Sequence, residues 1–157
     1  MRLTAETWVT LPRDQVFPFF ADAANLESLT PPWLHFAIRT VLPIDMYPGR
    51  QIEYTIRLRG IPMRWVSRIA AFDPPAMFID EQLKGPYRQW VHTHRFIEAR
   101  GGTTLLDEVE FDMAGRWFVG GLVARDLRAI FTYRHHTLLK VFAQPTPWPA
   151  PRIEISR

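Results

Sequence analysis

The segment YRQWVHTHRFIEARGGTTLLDEVEFD, residues 87–112, predicts a β-hairpin. Two runs of alternating residues flank Arg100-Gly101-Gly102, a sequence typical of a tight turn. The first run carries a ring at every second position: Trp90, His92, His94 and Phe96. Because side chains alternate across a strand, these rings share one face of a sheet. Such a row could bind a metal, form a catalytic site, line a ligand pocket, or belong to a core with hydrogen-bonded histidines.

The turn sets the register of the hairpin and identifies its buried face. A four-residue loop at residues 99–102 predicts these cross-strand pairs: Trp90 with Phe111, His92 with Val109, His94 with Asp107, Phe96 with Leu105, and Glu98 with Thr103. The partners of the rings are mostly apolar, so we expect the row to face the interior. Asp107 is then a buried acid directly opposite His94.

Hydrophobic periodicity outside the hairpin predicts further strands and three helices. We expect strands at 3–11, 34–42, 49–58, 61–72, 76–83, 87–98 and 103–112. Two short helices are expected after the first strand, one from Arg13 and one over residues 22–29. After Gly120-Gly121, apolar residues recur every three or four positions as far as Phe142, which predicts a long amphipathic helix.

This order of elements predicts an α+β fold, a helix-grip. A curved antiparallel sheet of about six or seven strands would wrap around one long C-terminal helix. One helix cannot fill the concave side of so wide a sheet, so we expect a cavity between them. This domain covers residues 1–143. Residues 144–157, QPTPWPAPRIEISR, are expected to form an extended tail because their prolines exclude a helix.

Neighbouring elements add polar groups to the predicted cavity. A turn at residues 73–76 predicts three pairs: Ile69 with Asp80, Ser67 with Gln82, and Ala71 with Phe78. Asp80 and Gln82 then face inward beside Trp65 and Ser67. On the long helix, Arg134 follows Phe131 by three residues and lies within the apolar stripe. A buried arginine requires an acid or a ligand anion as its partner.

Four segments carry a family resemblance: TPPW at 30–33, WVSRIAAFDPPAMFIDEQLKGPYRQWVHTHRF at 65–96, GGTTLLDEVEF at 101–111, and IFTYRHHTL at 130–138. Through them, from about residue 3 to residue 142, the chain resembles the SRPBCC superfamily of START-like and birch-pollen-allergen-like helix-grip proteins. The resemblance is closest to bacterial ligand-binding and polyketide cyclase/dehydrase-like members. It implies a hydrophobic ligand cavity and no particular reaction.

The two histidines permit two chemical interpretations. His92 and His94 could chelate a metal with Asp107 as a third ligand. The alternative is a buried pair hydrogen-bonded to Asp80, Gln82 and Asp107. We favour the second and expect neither metal nor cofactor, since the chain has no cysteine and no further inward cluster of ligand residues. His94 and Asp107 could also act as an acid–base pair without a covalent intermediate, or form only a structural hydrogen bond.

The composition of the whole chain argues against several other classes. A length of 157 residues fits one domain, and the absence of cysteine excludes disulfides. The net charge is only +3 and the arginines are scattered, so no nucleic-acid binding is expected. The sequence has no apolar run of about 18 residues, which predicts no transmembrane segment. Its first residues do not resemble a signal peptide, so we expect a cytoplasmic protein. The oligomeric state is not predicted.

We therefore expect the chain to bind a hydrophobic or aromatic small molecule, lipid- or polyketide-like, in an internal cavity. The predicted ligand-binding residues are Trp65, Ser67, Asp80, Gln82, Trp90, His92, Phe96, Phe111, Phe131 and Arg134. One alternative is a cyclase- or dehydrase-type enzyme with His94 and Asp107 as catalytic residues. Another is a regulatory or interaction domain whose pocket is incidental.

Overall fold

The chain consists mainly of β-strands, with two short helices after the first strand and one long helix towards its C-terminal end. The computed structural model describes the backbone of residues 1–156 and the side chains of residues 1–115 and 120–156. In chain order, the strands and α-helices are β1 (Arg2–Val9), α1 (Arg13–Ala21), α2 (Leu26–Leu29), β2 (Ala37–Ile38), β3 (Gln51–Leu58), β4 (Ile61–Asp73), β5 (Met77–Lys84), β6 (Gln89–Ala99), β7 (Gly102–Asp112), α3 (Arg116–Val141) and β8 (Arg152–Ser156). Two 3₁₀ turns, Ala23–Asn25 and Pro32–Leu34, lie before and after α2.

The strands form one antiparallel sheet in the order β2-β3-β4-β5-β6-β7-β1-β8. From β2 to β7 each strand pairs with the next along the chain, and β1 pairs with β7. Helix α3 packs against the inner face of this sheet through residues that include Leu127, Phe131 and Leu138. The predicted α+β class is confirmed. The sheet has eight strands where the sequence predicts six or seven.

Helix α3 starts earlier than the sequence predicts. Its first residue is Arg116, so Gly120 and Gly121 lie inside the helix rather than before it. Glycine disfavours a helix by about 1 kcal/mol relative to alanine but does not prevent one. Gly115 precedes the first turn with a φ of 69°, a left-handed conformation that glycine adopts without strain. Neither α3 nor another helix of residues 1–156 combines the length and hydrophobicity needed to cross a membrane.

The predicted strand at residues 34–42 is almost absent. Of the residues in this predicted strand, only Ala37 and Ile38 form a strand pair with β3. The 3₁₀ turn Pro32–Leu34 precedes them. His35 has a φ of 44°, a left-handed backbone conformation that interrupts an extended strand. The other predicted strands and both short helices lie close to their predicted positions.

The C-terminal segment is extended, as its prolines predict, but part of it belongs to the sheet. Arg152–Ser156 forms β8, which pairs antiparallel with β1, and Ile153 is buried. The sequence does not predict this pairing, because a five-residue segment with one buried position carries only a weak strand signal. Arg157, which ends the predicted tail, lies outside the described residues.

The buried side chains form three clusters on the inner side of the sheet. One joins α1 to β6 and the second half of α3, and includes Phe20 and Phe96. A second joins β1, β7 and β8 to α3 around Phe131. A third lies over β3 and β4 around Ile52 and Ile69.

Candidate functional site

The hairpin of β6 and β7 places the predicted row of rings on the inner face of the sheet. The register pairs Trp90 with Phe111, His92 with Val109, His94 with Asp107, Phe96 with Leu105, and Glu98 with Thr103, so the predicted register is confirmed. Val109 and Leu105 are buried, which fixes this face as the interior. His94 and Asp107 are buried there too, with His94 Nδ1 3.1 Å from Asp107 Oδ1.

Strand β5 adds Asp80 to the same face. Ile69 of β4 pairs with Asp80, as the sequence predicts, and Asp80 pairs with His92 of β6. The predicted pair of Ser67 and Gln82 is also present. Asp80 therefore lies beside the histidines rather than on the outer face.

The predicted pair of Ala71 and Phe78 is wrong. The register shifts between Ile69 and Ala71, so that Ala71 pairs with Ile79 and Phe72 with Phe78. A β-bulge of this kind adds a residue to one strand and leaves no simple mark in the sequence.

Gln82 lies near the end of β5, where its side chain bonds to the following turn and does not line the cavity. Its Nε2 donates to the Tyr87 carbonyl oxygen at 2.6 Å, and its Oε1 accepts from the Tyr87 backbone N–H at 3.2 Å. These two bonds use both ends of the amide. The Gln82 side chain thus holds the turn, and its expected contact with a ligand is not supported.

Asp107 is the centre of a buried network of charged and polar groups. Arg134 Nε donates to its Oδ2 at 2.9 Å, and Arg134 Nη2 donates to its Oδ1 at 3.1 Å. His92 Nε2 lies 2.9 Å from Asp107 Oδ1. The acid that the buried Arg134 requires is therefore Asp107, and the carboxylate binds the helix to the sheet.

The two histidines connect Asp107 to Asp80. Their rings lie 3.7 Å apart between centroids, and His94 also stacks on Phe78 at 4.1 Å. His94 Nε2 lies 2.8 Å from Asp80 Oδ2, while His92 Nδ1 is 3.9 Å from the same oxygen. Each histidine thus presents one ring nitrogen to Asp107 and the other towards Asp80.

The network holds both acids in their charged form. Burial alone would raise the pKa of Asp107, but the charge of Arg134 and the hydrogen bonds from His92 and His94 outweigh it and keep that pKa well below its ordinary value. Burial opposes ionisation of Asp80 as well, and the hydrogen bond with His94 and the nearby positive charges lower its pKa nevertheless.

The two histidines differ in their affinity for a proton. Burial and the charge of His94 lower the pKa of His92. Burial also acts against a charged His94, but its hydrogen bonds to Asp107 and Asp80 raise its pKa. A proton shared within the network is therefore held by His94 rather than by His92.

A cavity of about 200 Å³ lies beside this network, between the sheet, α3 and the short helices. Of the predicted site residues, the cavity wall includes Trp65, Ser67, Asp80, Trp90, His92, His94, Phe131 and Arg134. Most of the other residues that line it are apolar. The charged groups of the predicted site that line this pocket lie on β5, β6 and α3.

Two predicted wall residues, Phe96 and Phe111, are core residues instead. Both are 2% exposed and lie outside the cavity lining. Phe20 of α1 packs edge-on against Phe96, at 4.9 Å between ring centroids, and so fills the space above it. Phe111 belongs to the cluster around Phe131. Their inward direction is as predicted, and their contact with a ligand is not supported.

Two tyrosines of the cavity wall are not among the residues predicted from the sequence. Tyr54 stacks on Trp65 at 5.8 Å, and its hydroxyl lies 3.3 Å from Ser67 Oγ. Tyr87 packs against Trp90 at 4.7 Å. Tyr54 alternates with the buried Ile52 and Ile56 on β3, and this pattern could have identified it. Tyr87 lies in a turn, where periodicity gives no signal.

The sheet that wraps around a long C-terminal helix, with a cavity between them, defines a helix-grip protein. Solved structures with this fold include protein Ms6760 from Mycobacterium smegmatis, with a TM-score of 0.67, 18% identity and 90% of each chain covered. A protein from Arthrobacter aurescens has a TM-score of 0.71 at 12% identity, covering 92% of this chain and 87% of that one. The Bet v 1-like protein Ara h 8.0201 has a TM-score of 0.60 at 18% identity, covering 89% and 98%.

Within this fold, residues 58–142 match the family model described as "Domain of unknown function (DUF8410)", and the chain belongs to that family. The matched residues include β4 to β7 and all of α3, and therefore the whole polar network. No curated protein matches the sequence. At identities below 25%, the solved structures establish the fold and no activity.

Proposed function

We propose that the chain binds a hydrophobic or aromatic small molecule, lipid-like or polyketide-like, in the cavity between the sheet and α3. The observation that carries this proposal is the uneven wall of the cavity. Aromatic and aliphatic side chains form most of it, and a compact group of charged residues lies on one side. Apolar pockets with a few convergent polar groups are typical of small-molecule sites.

The aromatic part of the wall would supply most of the binding free energy. Trp65 and Trp90 meet edge to face at 5.5 Å, and Tyr54 stacks on Trp65 with an angle of 16° between the rings. The Trp65 indole N–H donates to Ser67 Oγ at 3.0 Å, which fixes the orientation of this ring. Because the rings are held by one another, a planar ligand would lose little free energy to ordering the wall.

The polar network would orient the ligand. His92, His94 and Asp80 all face the cavity, and Arg134 reaches the cavity wall from α3. Hydrogen bonds with charged groups are stronger and more directional than those between neutral groups. A hydroxyl or carbonyl on an otherwise apolar molecule would therefore lie at this side, with its rings towards Trp65 and Trp90.

The catalytic alternative, in which His94 and Asp107 move a proton, stays a prediction, and the contacts give it less support than binding. Both oxygens of Asp107 are engaged by Arg134, and His94 is held between two carboxylates rather than one. The regulatory alternative and the cytoplasmic location also stay predictions.

The proposal is tested by filling the cavity. Ile130 of α3 lines the cavity, whereas Ile97 on β6 is 44% exposed and lies outside the cavity lining. We expect Ile130→Trp to weaken binding of 2-naphthol, a two-ring phenol, by at least about tenfold, or about 1.4 kcal/mol. The matched control Ile97→Trp should bind like the wild type. Fluorescence titration measures both.

Native mass spectrometry of freshly purified protein provides the second readout. We expect a copurifying small molecule in the wild type and in Ile97→Trp, and less of it in Ile130→Trp. Equal binding by the two variants, or neither a copurifying molecule nor saturable binding of 2-naphthol, would contradict the proposal.

A further inference from the structure

We propose that Asp80, His92 and His94 form a binding site for a divalent metal ion in the wall of the cavity. One ligand atom from each residue lies within 4.8 Å of the others. Two imidazole nitrogens and a carboxylate oxygen are a donor set that zinc and other first-row metal ions bind. Protein side chains supply all three proposed ligands, so metal binding does not require an organic ligand in the cavity.

The distances are close to those of a coordinated ion. His94 Nε2 and His92 Nδ1 lie 2.8 and 3.9 Å from Asp80 Oδ2. Ligand atoms about 2.1 Å from a tetrahedral Zn²⁺ are about 3.4 Å from one another. One observed distance is shorter than this value and the other longer. The backbone positions need not change, because Asp80 and His92 are already paired across β5 and β6.

Asp107 fixes which nitrogens are available to a metal. His92 Nε2 and His94 Nδ1 lie 2.9 and 3.1 Å from Asp107 Oδ1. An ionised carboxylate oxygen only accepts hydrogen bonds, so these two nitrogens carry the N–H groups. The lone pair of His92 Nδ1 then faces Asp80, and at His94 Nε2 a metal ion would displace the proton shared with Asp80 Oδ2. A histidine whose other ring N–H is held by a carboxylate is the usual arrangement behind metal ligands.

Arg134 keeps Asp107 in this supporting role. Its Nε and Nη2 engage the two oxygens of Asp107, at 2.9 and 3.1 Å. Arg134 Nη2 is also 3.4 Å from His94 Nδ1, but the carboxylate is its closer partner. Asp107 is thus not the third ligand that the metal interpretation of the sequence allowed: it orients both histidines, and Asp80 is the third donor.

The charge of the network favours a cation. Asp80 and Asp107 carry one negative charge each and Arg134 one positive charge, so the network has a net charge of −1 when both imidazoles are neutral. His92, His94, Asp107 and Arg134 are each less than 10% exposed, so water screens this charge weakly. Three protein ligands leave at least one coordination position open, and it would face the cavity. A water molecule or a ligand oxygen would complete the coordination there.

The test uses untagged full-length protein that has been dialysed against a chelator. Titration with zinc chloride by calorimetry should show one ion per chain. Asp80→Asn and His94→Gln should each weaken zinc binding by at least tenfold, and Asp107→Asn by about 10–100-fold, as expected for a group that orients ligands. His136→Ala is the matched control, because His136 is exposed on α3 and lies outside the cavity, and it should bind zinc like the wild type.

A second measurement requires no substitution. The ¹⁵N chemical shifts of the histidine rings report which nitrogen binds zinc, and we expect Nδ1 for His92 and Nε2 for His94. Coordination through the opposite nitrogens would overturn the proposal. So would the absence of saturable zinc binding by the wild type, or equal zinc affinity of wild type and Asp80→Asn.

Discussion

The two ends of the inner face of β6 are both rich in rings, yet one is solid core and the other borders a cavity. At one end, Phe96 packs against Phe17 and Phe20, at 5.1 and 4.9 Å between ring centroids. At the other end, Trp90 borders the cavity. The difference comes from what lies opposite. Helix α1 covers Phe96, whereas the rings around Trp90 have empty space before them. Ring content therefore does not identify a pocket; the coverage by a second element does.

We expect the largest effects from truncating one ring at each end of β6, with opposite consequences for stability and for ligand binding. Phe96→Ala would leave a cavity in a packed cluster, and we expect it to lower the free energy of unfolding by about 4 kcal/mol. Trp90→Ala should cost about half as much, because part of the indole already faces a cavity. Urea denaturation measures both variants.

Binding of 2-naphthol should show the opposite order. Trp90→Ala should weaken it, and Phe96→Ala, assayed at a temperature where it is folded, should not. The proposed difference between the two ends of β6 would be contradicted if Trp90→Ala were the more destabilising variant. It would also be contradicted if Phe96→Ala alone lost binding of 2-naphthol.

The next effect concerns the charged network at the border between the two ends. Arg134→Met removes the positive partner and leaves the Asp107 carboxylate buried without its strongest stabilisation. We expect a loss of about 3 kcal/mol in the free energy of unfolding. Asp107→Asn combined with Arg134→Met removes the unpaired charge while keeping an oxygen for the histidines, and it should recover more than half of the loss.

Urea denaturation of the wild type, both single variants and the double variant gives the coupling between Asp107 and Arg134. Additive losses in the double variant would show that the two groups do not stabilise each other.

The smallest effect lies on the other side of α3, where His135 contacts β1 and the C-terminal segment. Thr7 Oγ1 lies 2.8 Å from its Nδ1, and its Nε2 lies 3.0 Å from the Pro149 carbonyl oxygen. Burial lowers the pKa of His135, with a further contribution from His136, although the bond to Pro149 acts in the opposite direction. The unfolded chain therefore takes up this proton near its ordinary pKa of about 6.5, while the folded chain resists it.

Stability contributed by a neutral His135 should consequently be lost as the pH falls below about 6.5. We expect His135→Gln to lack this dependence, so the free energy of unfolding of wild type minus variant should decrease between pH 7.5 and pH 5.5. Denaturation curves at each pH measure it, and an increase towards acid pH would refute the assignment.

The parts of the fold that sequence predicts best are those set by local rules. Alternation on β6 and β7 and the turn at Gly101 determine the pairing of His94 with Asp107, and the observed register agrees. The need of Arg134 for a buried acid also follows from desolvation alone. The register does not predict contacts between side chains that lie diagonally across from each other on neighbouring strands. His92 contacts Asp107 although its direct neighbour is Val109.

The features of the fold and the site that the sequence does not predict depend mainly on contacts between segments distant in sequence. Phe96 cannot be separated from Trp90 without knowing that α1 lies above it. The bulge after Ile69 and the role of Gln82 in its turn depend on local backbone geometry that no periodicity encodes. The third metal-ligand candidate, Asp80, could be placed on the inner face beside the histidines from the sequence, but the distances between its oxygens and their ring nitrogens require the assembled sheet.

Strand β8 covers one edge of the wide open sheet. Without it, β1 would be an edge strand with unpaired backbone groups available to another molecule. β8 covers that edge with a strand whose exposed positions include Arg152 and Glu154, and charged side chains discourage edge-to-edge pairing. The opposite edge is β2, which is only two residues long. Both edges of the sheet are thus protected from intermolecular strand addition. The charged side chains of β8 protect one edge, and the short length of β2 protects the other.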